Sequence, residues 1–207
     1  MRYHFLIFVL FMVSIGFSQG KKYLYYNENL ELITQKEYSK KLNDVKYLDL
    51  YFGKDSVVTC MLVQRKKYGK LNEIEFSELK NAFLSDSELS NELIVIVYYP
   101  GIDECNQSGN WAWVFYDDTF NKKMKKISPF HNLLIYKDNS GLIYNLDNKV
   151  AWQKDTNQMV EKLFFKYHYP CYSFVVIDKS GRFIAYFGEF DTSTLVEISK
   201  EVSKFGK

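Results

Sequence analysis

The sequence predicts an α/β fold built on a mixed sheet with helices on both faces. Three observations carry this. "LIVIVYY" (93–99) is an unbroken apolar run, as expected of a strand covered on both sides. A stretch with helical periodicity separates it from a second strand, "NLLIYKD" (132–138), so the two make a parallel pair through a right-handed crossover. Later, "SFVVID" (173–178), the turn Lys179-Ser180-Gly181 and "RFIAYFG" (182–188) read as a hairpin, which adds an antiparallel pair.

The remaining elements follow from the same rules. Residues 19–90 are polar and mixed, and form an N-terminal α+β extension. Within them "VKYLDLYF" (45–52) and "SVVTCMLVQRK" (56–66) are rich in β-branched and aromatic residues and read as strands. "QKEYSKKL" (35–42) and "EIEFSELKNAFL" (73–84) read as helices; in the second, Phe76, Leu79, Phe83 and Leu84 share a face. Beyond Tyr99 comes a loop containing Cys105, then Tyr116, Phe120, Met124 and Ile127 at helical spacing. Asn139-Ser140-Gly141 ends the second strand. Asp155 and Gln158 open a helix over 156–167, whose stripe is Val160, Leu163 and Phe164. A last helix, capped near Asp191, turns Leu195, Ile198, Ser199 and Val202 inward.

The N-terminus reads as a cleaved secretory signal. Arg2 supplies a basic start, "FLIFVLFMV" an apolar stretch shorter than the roughly 20 residues that span a bilayer, and Gly16 and Ser18 the small residues a peptidase reads. Cleavage after Ser18 puts residues 19–207 in a periplasmic or secreted, extracytoplasmic setting with no membrane segment. With 207 residues in all, the chain buries roughly 70% of its unfolded surface, enough to fold without staples. A net charge of +2 argues against nucleic acid as a partner. The three cysteines, Cys60, Cys105 and Cys171, are an odd number for an exported chain, so at least one is a free thiol or bonds another molecule. Cys60 alternates in phase with Val58 and Leu62 and belongs to the core. No spacing suits a zinc site, and no glycine-rich phosphate loop or G-x-S-x-G is present, so no metal or other cofactor is expected.

Residues 90–207 resemble the thioredoxin-like superfamily. The likeness lies in the element order, the cysteine loop between strand and helix, and "HYPCYSFVVIDKSGRFIAYFGEF", a proline followed by a strand, a D-x-x-G turn and a return strand. It implies that Tyr169-Pro170-Cys171 form a cis-proline loop facing Cys105. It also implies that Cys105 is the attacking cysteine, with Ser108 of "CNQS" standing where a resolving cysteine would be. The departures are plain: no C-x-x-C, Glu104 in place of the usual tryptophan, and no acid inside "LIVIVYY" to accept a proton.

Two roles for Cys105 follow. At a helix N-terminus the positive dipole end favours the thiolate, and Cys105 acts as a monothiol exchanging with a protein or small-molecule thiol or disulfide. Otherwise it is inert, and the neighbouring charges of Asp103 and Glu104 oppose ionisation. His168 is a candidate thiolate partner or an ordinary exposed histidine, and His131 a strand-end residue. The resemblance brings Cys171 near Cys105, where the two can form a disulfide; the alternative is a buried Cys171 acting as a small hydrophobe. Most rings of "NWAWVFYDD" and "LFFKYHYPCY" belong to the core, although Trp111 and Trp113 can line a groove for an extended peptide. A non-catalytic peptide- or protein-binding module is therefore the second reading. A peroxidase, prompted by "YYPG" before a cysteine, is weaker, since Ile102 stands where peroxiredoxins carry threonine.

Overall fold

The computed structural model describes residues 20–53, 56–84, 92–107, 117–142 and 151–205; the expected signal segment and cleavage point lie outside them. The described chain divides into two compact units, one within Met1–Asp44 and Asp49–Val63, the other within Val45–Leu48 and Gln64–Lys207.

The first unit is organised by a four-stranded sheet of β1 (Lys22–Tyr26), β2 (Leu32–Ile33), β3 (Tyr47–Phe52) and β4 (Val57–Gln64), in the order β2-β1-β4-β3. β1 runs parallel to β4 and antiparallel to β2. Helix α1 (Gln35–Leu42) starts at a capping box in which Thr34 and Glu37 satisfy each other's backbone N–H groups. Its buried Tyr38 packs against the Tyr25 ring at 5.0 Å between centroids. Cys60 is a free, buried thiol in phase with Val58 and Leu62, as its alternation predicts. Burial pushes that thiol above its ordinary range.

The second unit holds β5 (Lys66–Lys70), α2 (Glu73–Phe83), β6 (Leu93–Tyr99), α3 (Asp118–Lys125), β7 (Phe130–Tyr136), β8 (Trp152–Lys154), α4 (Met159–Phe164), β9 (Ser173–Ile177), β10 (Arg182–Tyr186) and α5 (Thr192–Val202). Its six strands lie in the order β5-β10-β9-β6-β7-β8. β6 and β7 are parallel, while β6–β9, β9–β10 and β10–β5 are antiparallel. The α/β class and the mixed sheet flanked by helices are therefore as the sequence predicts.

Period-two alternation explains the layers. Leu93, Val95 and Val97 of β6 join Leu134, Phe174, Val176 and Ile184 in one core with Phe120 and Met124 of α3 and Leu195, Ile198 and Val202 of α5. The intervening residues face the other way, where Tyr98 stacks on Phe165 and Phe183 meets Phe164 of α4 edge-on. All seven residues of β6 are buried, which is why its apolar run has no polar alternation. Asp178 fastens the β9–β10 turn: its carboxylate accepts from Ser180 N–H and Oγ and from the Arg182 guanidinium.

Three expectations change. A strand is added that the sequence did not announce: "KKYGK" becomes β5 and pairs with β10. That segment is too rich in lysine to read as a strand, and lysine suits the sheet edge it occupies. The helix expected over 156–167 is a short 3-10 turn at Thr156–Gln158 followed by α4, since Asn157 and Gln158 adopt left-handed backbone. Asp155 still caps, but on the second segment, accepting from Val160 and Glu161 N–H. Finally, the Tyr169–Pro170 bond is trans. Trans is the lower-energy isomer by about 0.5–1 kcal/mol, and Cys171, at φ 66°, makes the chain reversal instead.

Candidate functional site: a disulfide between two loops

Strand register decides which loops meet. Tyr98 of β6 lies opposite Ser173 of β9, so the chain leaving β6 passes beside the chain entering β9. Tyr186 of β10 lies opposite Phe174, which brings residues after β10 to the same end of the sheet. Three segments, 100–107, 165–172 and 187–190, therefore converge there.

Cys105 and Cys171 form a disulfide across this junction, with Cα atoms 5.1 Å apart. Cys105 is exposed and Cys171 is only 2% exposed. The bond is thus asymmetric, joining an exposed residue to a buried one.

Asp103 organises the loops around the bond. Its Oδ1 accepts from the Cys105 and Asn106 N–H groups at 2.9 and 3.0 Å. Its Oδ2 accepts from Cys171 N–H at 2.8 Å and lies 3.3 Å from His168 Nε2. Asn106, buried, completes the tie: its Nδ2 donates to the Gly101 and Cys171 carbonyls, and its Oδ1 accepts from Asp103 N–H. Cys171 is thus held at its N–H, its C=O and its sulfur. That triple restraint is what maintains a non-glycine residue in left-handed backbone, a conformation costing of order 1–3 kcal/mol.

Beneath the loops lies an aromatic layer. Tyr169 stacks on Phe187 with ring centroids 4.2 Å apart and planes 5° apart, and Phe187 meets Phe165 edge-on. Burial pushes the Tyr169 hydroxyl well above the usual phenol range. Burial, with the Glu189 charge second, does the same for Tyr172. Glu189 enters the site from the segment after β10: one of its carboxylate oxygens and the two cysteine sulfurs all lie within 4.8 Å of one another.

Several expected residues are placed differently. Cys105 sits in a turn over 104–106, and α3, the next helix among the described residues, starts at Asp118. His168 is exposed and faces Asp103. Ser108, Trp111 and Trp113 lie outside the described residues. Glu189, Asp103 as an acceptor and Asn106 are the residues that sequence reasoning missed. The hairpin itself held a signal for Glu189, because its register brings the residues after Tyr186 beside those before Phe174.

Asp103→Asn is expected to cost about 1–3 kcal/mol, since its amide nitrogen would oppose an N–H donor that the carboxylate now satisfies. Urea denaturation at fixed pH checks this, with His168→Asn as the near-neutral comparison. No protein-family model matches the chain, and no curated protein sequence matches it either.

Proposed function

We propose that this is an exported thioredoxin-like protein that exchanges disulfides through Cys105, with Cys171, rather than Ser108, as its redox partner. The carrying observation is an exposed cysteine, Cys105, bonded to a buried one beside Pro170. The sheet supports the kinship in its coarse features: β6 and β7 form a parallel pair and β9–β10 a hairpin in one mixed sheet, as the element order predicts. The trans proline and the cysteine turn depart from the family, so the chemistry is argued from this site alone. An intramolecular disulfide is compatible with an extracytoplasmic location, and the signal-like N-terminus points the same way.

The exchange balances as follows. An incoming thiolate attacks the Cys105 sulfur, the Sγ–Sγ bond breaks, and Cys171 leaves as a thiolate that takes up a proton. A second external thiol attacks the mixed disulfide, releasing an oxidised partner and leaving two protein thiols. Run backwards, the same steps reduce a partner's disulfide. The alternative reading, a non-catalytic peptide- or protein-binding module, rests on a cis-proline loop at Tyr169–Cys171, where the bond is trans, and on Trp111 and Trp113, which lie outside the described residues.

Trapping tests the proposal. Cys171→Ser is expected to accumulate a mixed disulfide at Cys105 with an added thiol–disulfide pair, read by intact mass, while Cys105→Ser accumulates none. A Cys105–Cys171 bond that resists millimolar dithiothreitol in the folded protein identifies a purely structural staple and ends the exchange reading.

A further inference from the structure

The donors at this site go beyond a disulfide. Among the described residues, Cys105 Sγ, Cys171 Sγ and a Glu189 carboxylate oxygen are the cluster whose spacing suits a metal ion. They are far apart in the sequence, which is why no ligand spacing is visible there. The Glu189 side chain makes no hydrogen bond or ion pair with any described residue; only its backbone carbonyl is used, by Arg65. A carboxylate oxygen with no hydrogen bond or ion pair thus lies within 4.8 Å of two sulfurs.

We infer that the reduced protein binds a thiolate-preferring divalent cation of the zinc class through Cys105, Cys171 and Glu189. The inference rests on the reading that this disulfide is open to reduction. The chemistry closes without further groups. A phosphine reductant with one water breaks the Sγ–Sγ bond, leaving two thiols and a phosphine oxide. The incoming cation displaces the two thiol protons and is held by two thiolates and one carboxylate.

Geometry favours this. Zinc–sulfur bonds of about 2.3 Å put two sulfurs of a tetrahedral site about 3.8 Å apart, so the sulfurs separate on binding and the carboxylate closes on the ion. Cys105 and Glu189 are both exposed and can turn to do so, while Cys171, tied again through its sulfur once the cation is bound, keeps its hydrogen bonds to Asp103 and Asn106. Two thiolates select a soft or borderline cation over calcium or magnesium, which take oxygen donors. Three protein ligands leave the fourth position, on the exposed side, to water. Because the oxidised form lacks both thiolates, binding is gated by the redox state, and by linkage the cation stabilises the reduced form.

The test uses the full mature chain, reduced with a phosphine that is then removed under anaerobic conditions, with Co2+ as the probe and Zn2+ as competitor. The expected result is one cobalt per chain with a thiolate charge-transfer band and the strong visible bands of a four-coordinate site, bleached by Zn2+ and absent from the oxidised protein. Glu189→Gln, on an exposed side chain, is expected to weaken binding at least tenfold while the thiolate band persists at saturation. Cys60→Ser is expected to change nothing. Zn2+ is expected to raise the thermal midpoint of the reduced protein, a readout that holds even if reduction loosens the fold. Absence of the thiolate band, equal binding by the oxidised protein, or wild-type affinity in Glu189→Gln overturns the assignment. Since cobalt binding needs only chemical reduction while exchange is read by trapped mixed disulfides, either reading can fail without the other.

Discussion

Removing the Cys105–Cys171 bond is expected to lower stability by about 2–3 kcal/mol. The bond joins residues separated by 66 positions, and closing a loop of that length is worth roughly 4 kcal/mol in the chain-entropy account. Against this stands Cys171, whose left-handed backbone costs of order 1–3 kcal/mol and can relax once its sulfur is free. Urea midpoints of the oxidised protein and of the Cys105→Ser/Cys171→Ser double variant measure the difference. The magnitude also separates the two roles of the bond. By linkage, each 1.4 kcal/mol by which the fold favours the disulfide makes it about 30 mV harder to reduce. A loss of the full 4 kcal/mol would mark a bond protected from ordinary thiols, and would weigh against exchange. A loss near 2 kcal/mol leaves it within reach of a dithiol.

The second large effect belongs to the core that carries the site. Phe174→Ala is expected to cost about 3–5 kcal/mol, the usual range for emptying a buried phenylalanine position. Phe174 has no exposed surface, stacks on Tyr186 at 5.4 Å and meets Phe190 at 4.4 Å between centroids. It lies three residues past Cys171 and pairs across the sheet with Val97 and Tyr186, so the cavity would loosen the end of β9 that positions the disulfide. For a chain of this size the thermal midpoint should fall by about 10 °C. The disulfide of the variant should also reduce faster. A change below about 1 kcal/mol would mean that the surrounding rings collapse into the space, and that this core is not what fixes the loops.

Much of the fold is written locally. Gln35–Leu42, Leu93–Tyr99 and the Asp191 cap of the last helix lie where periodicity and capping put them, because each depends on neighbours a few residues away. Leu195, Ile198, Ser199 and Val202 all turn inward as their spacing predicts. β5 was not legible, since "KKYGK" becomes a strand only because β10 offers it an edge. The helix expected from residue 156 breaks at Asn157 and Gln158 through backbone dihedrals that composition does not announce.

The site divides in the same way. Cys105 and Cys171 drew notice as residues, and a resemblance, not their spacing, put them together. The trans bond at Pro170 and the left-handed backbone of Cys171 beside it are likewise visible only in three dimensions. Asp103, Asn106 and Glu189 acquire meaning only from partners distant in sequence.

By itself, then, the order of residues determined the α/β class, the buried central strand, the hairpin and the inward faces of the helices, because those follow from short-range periodicity and from water's exclusion of apolar side chains. Tertiary structure alone decided which thiol is bonded, which carboxylate gathers the loop N–H groups and which one lies near the sulfurs. Those depend on strand register, where antiparallel pairing brings the ends of β6, β9 and β10 to one edge and so makes neighbours of residues that the chain keeps far apart.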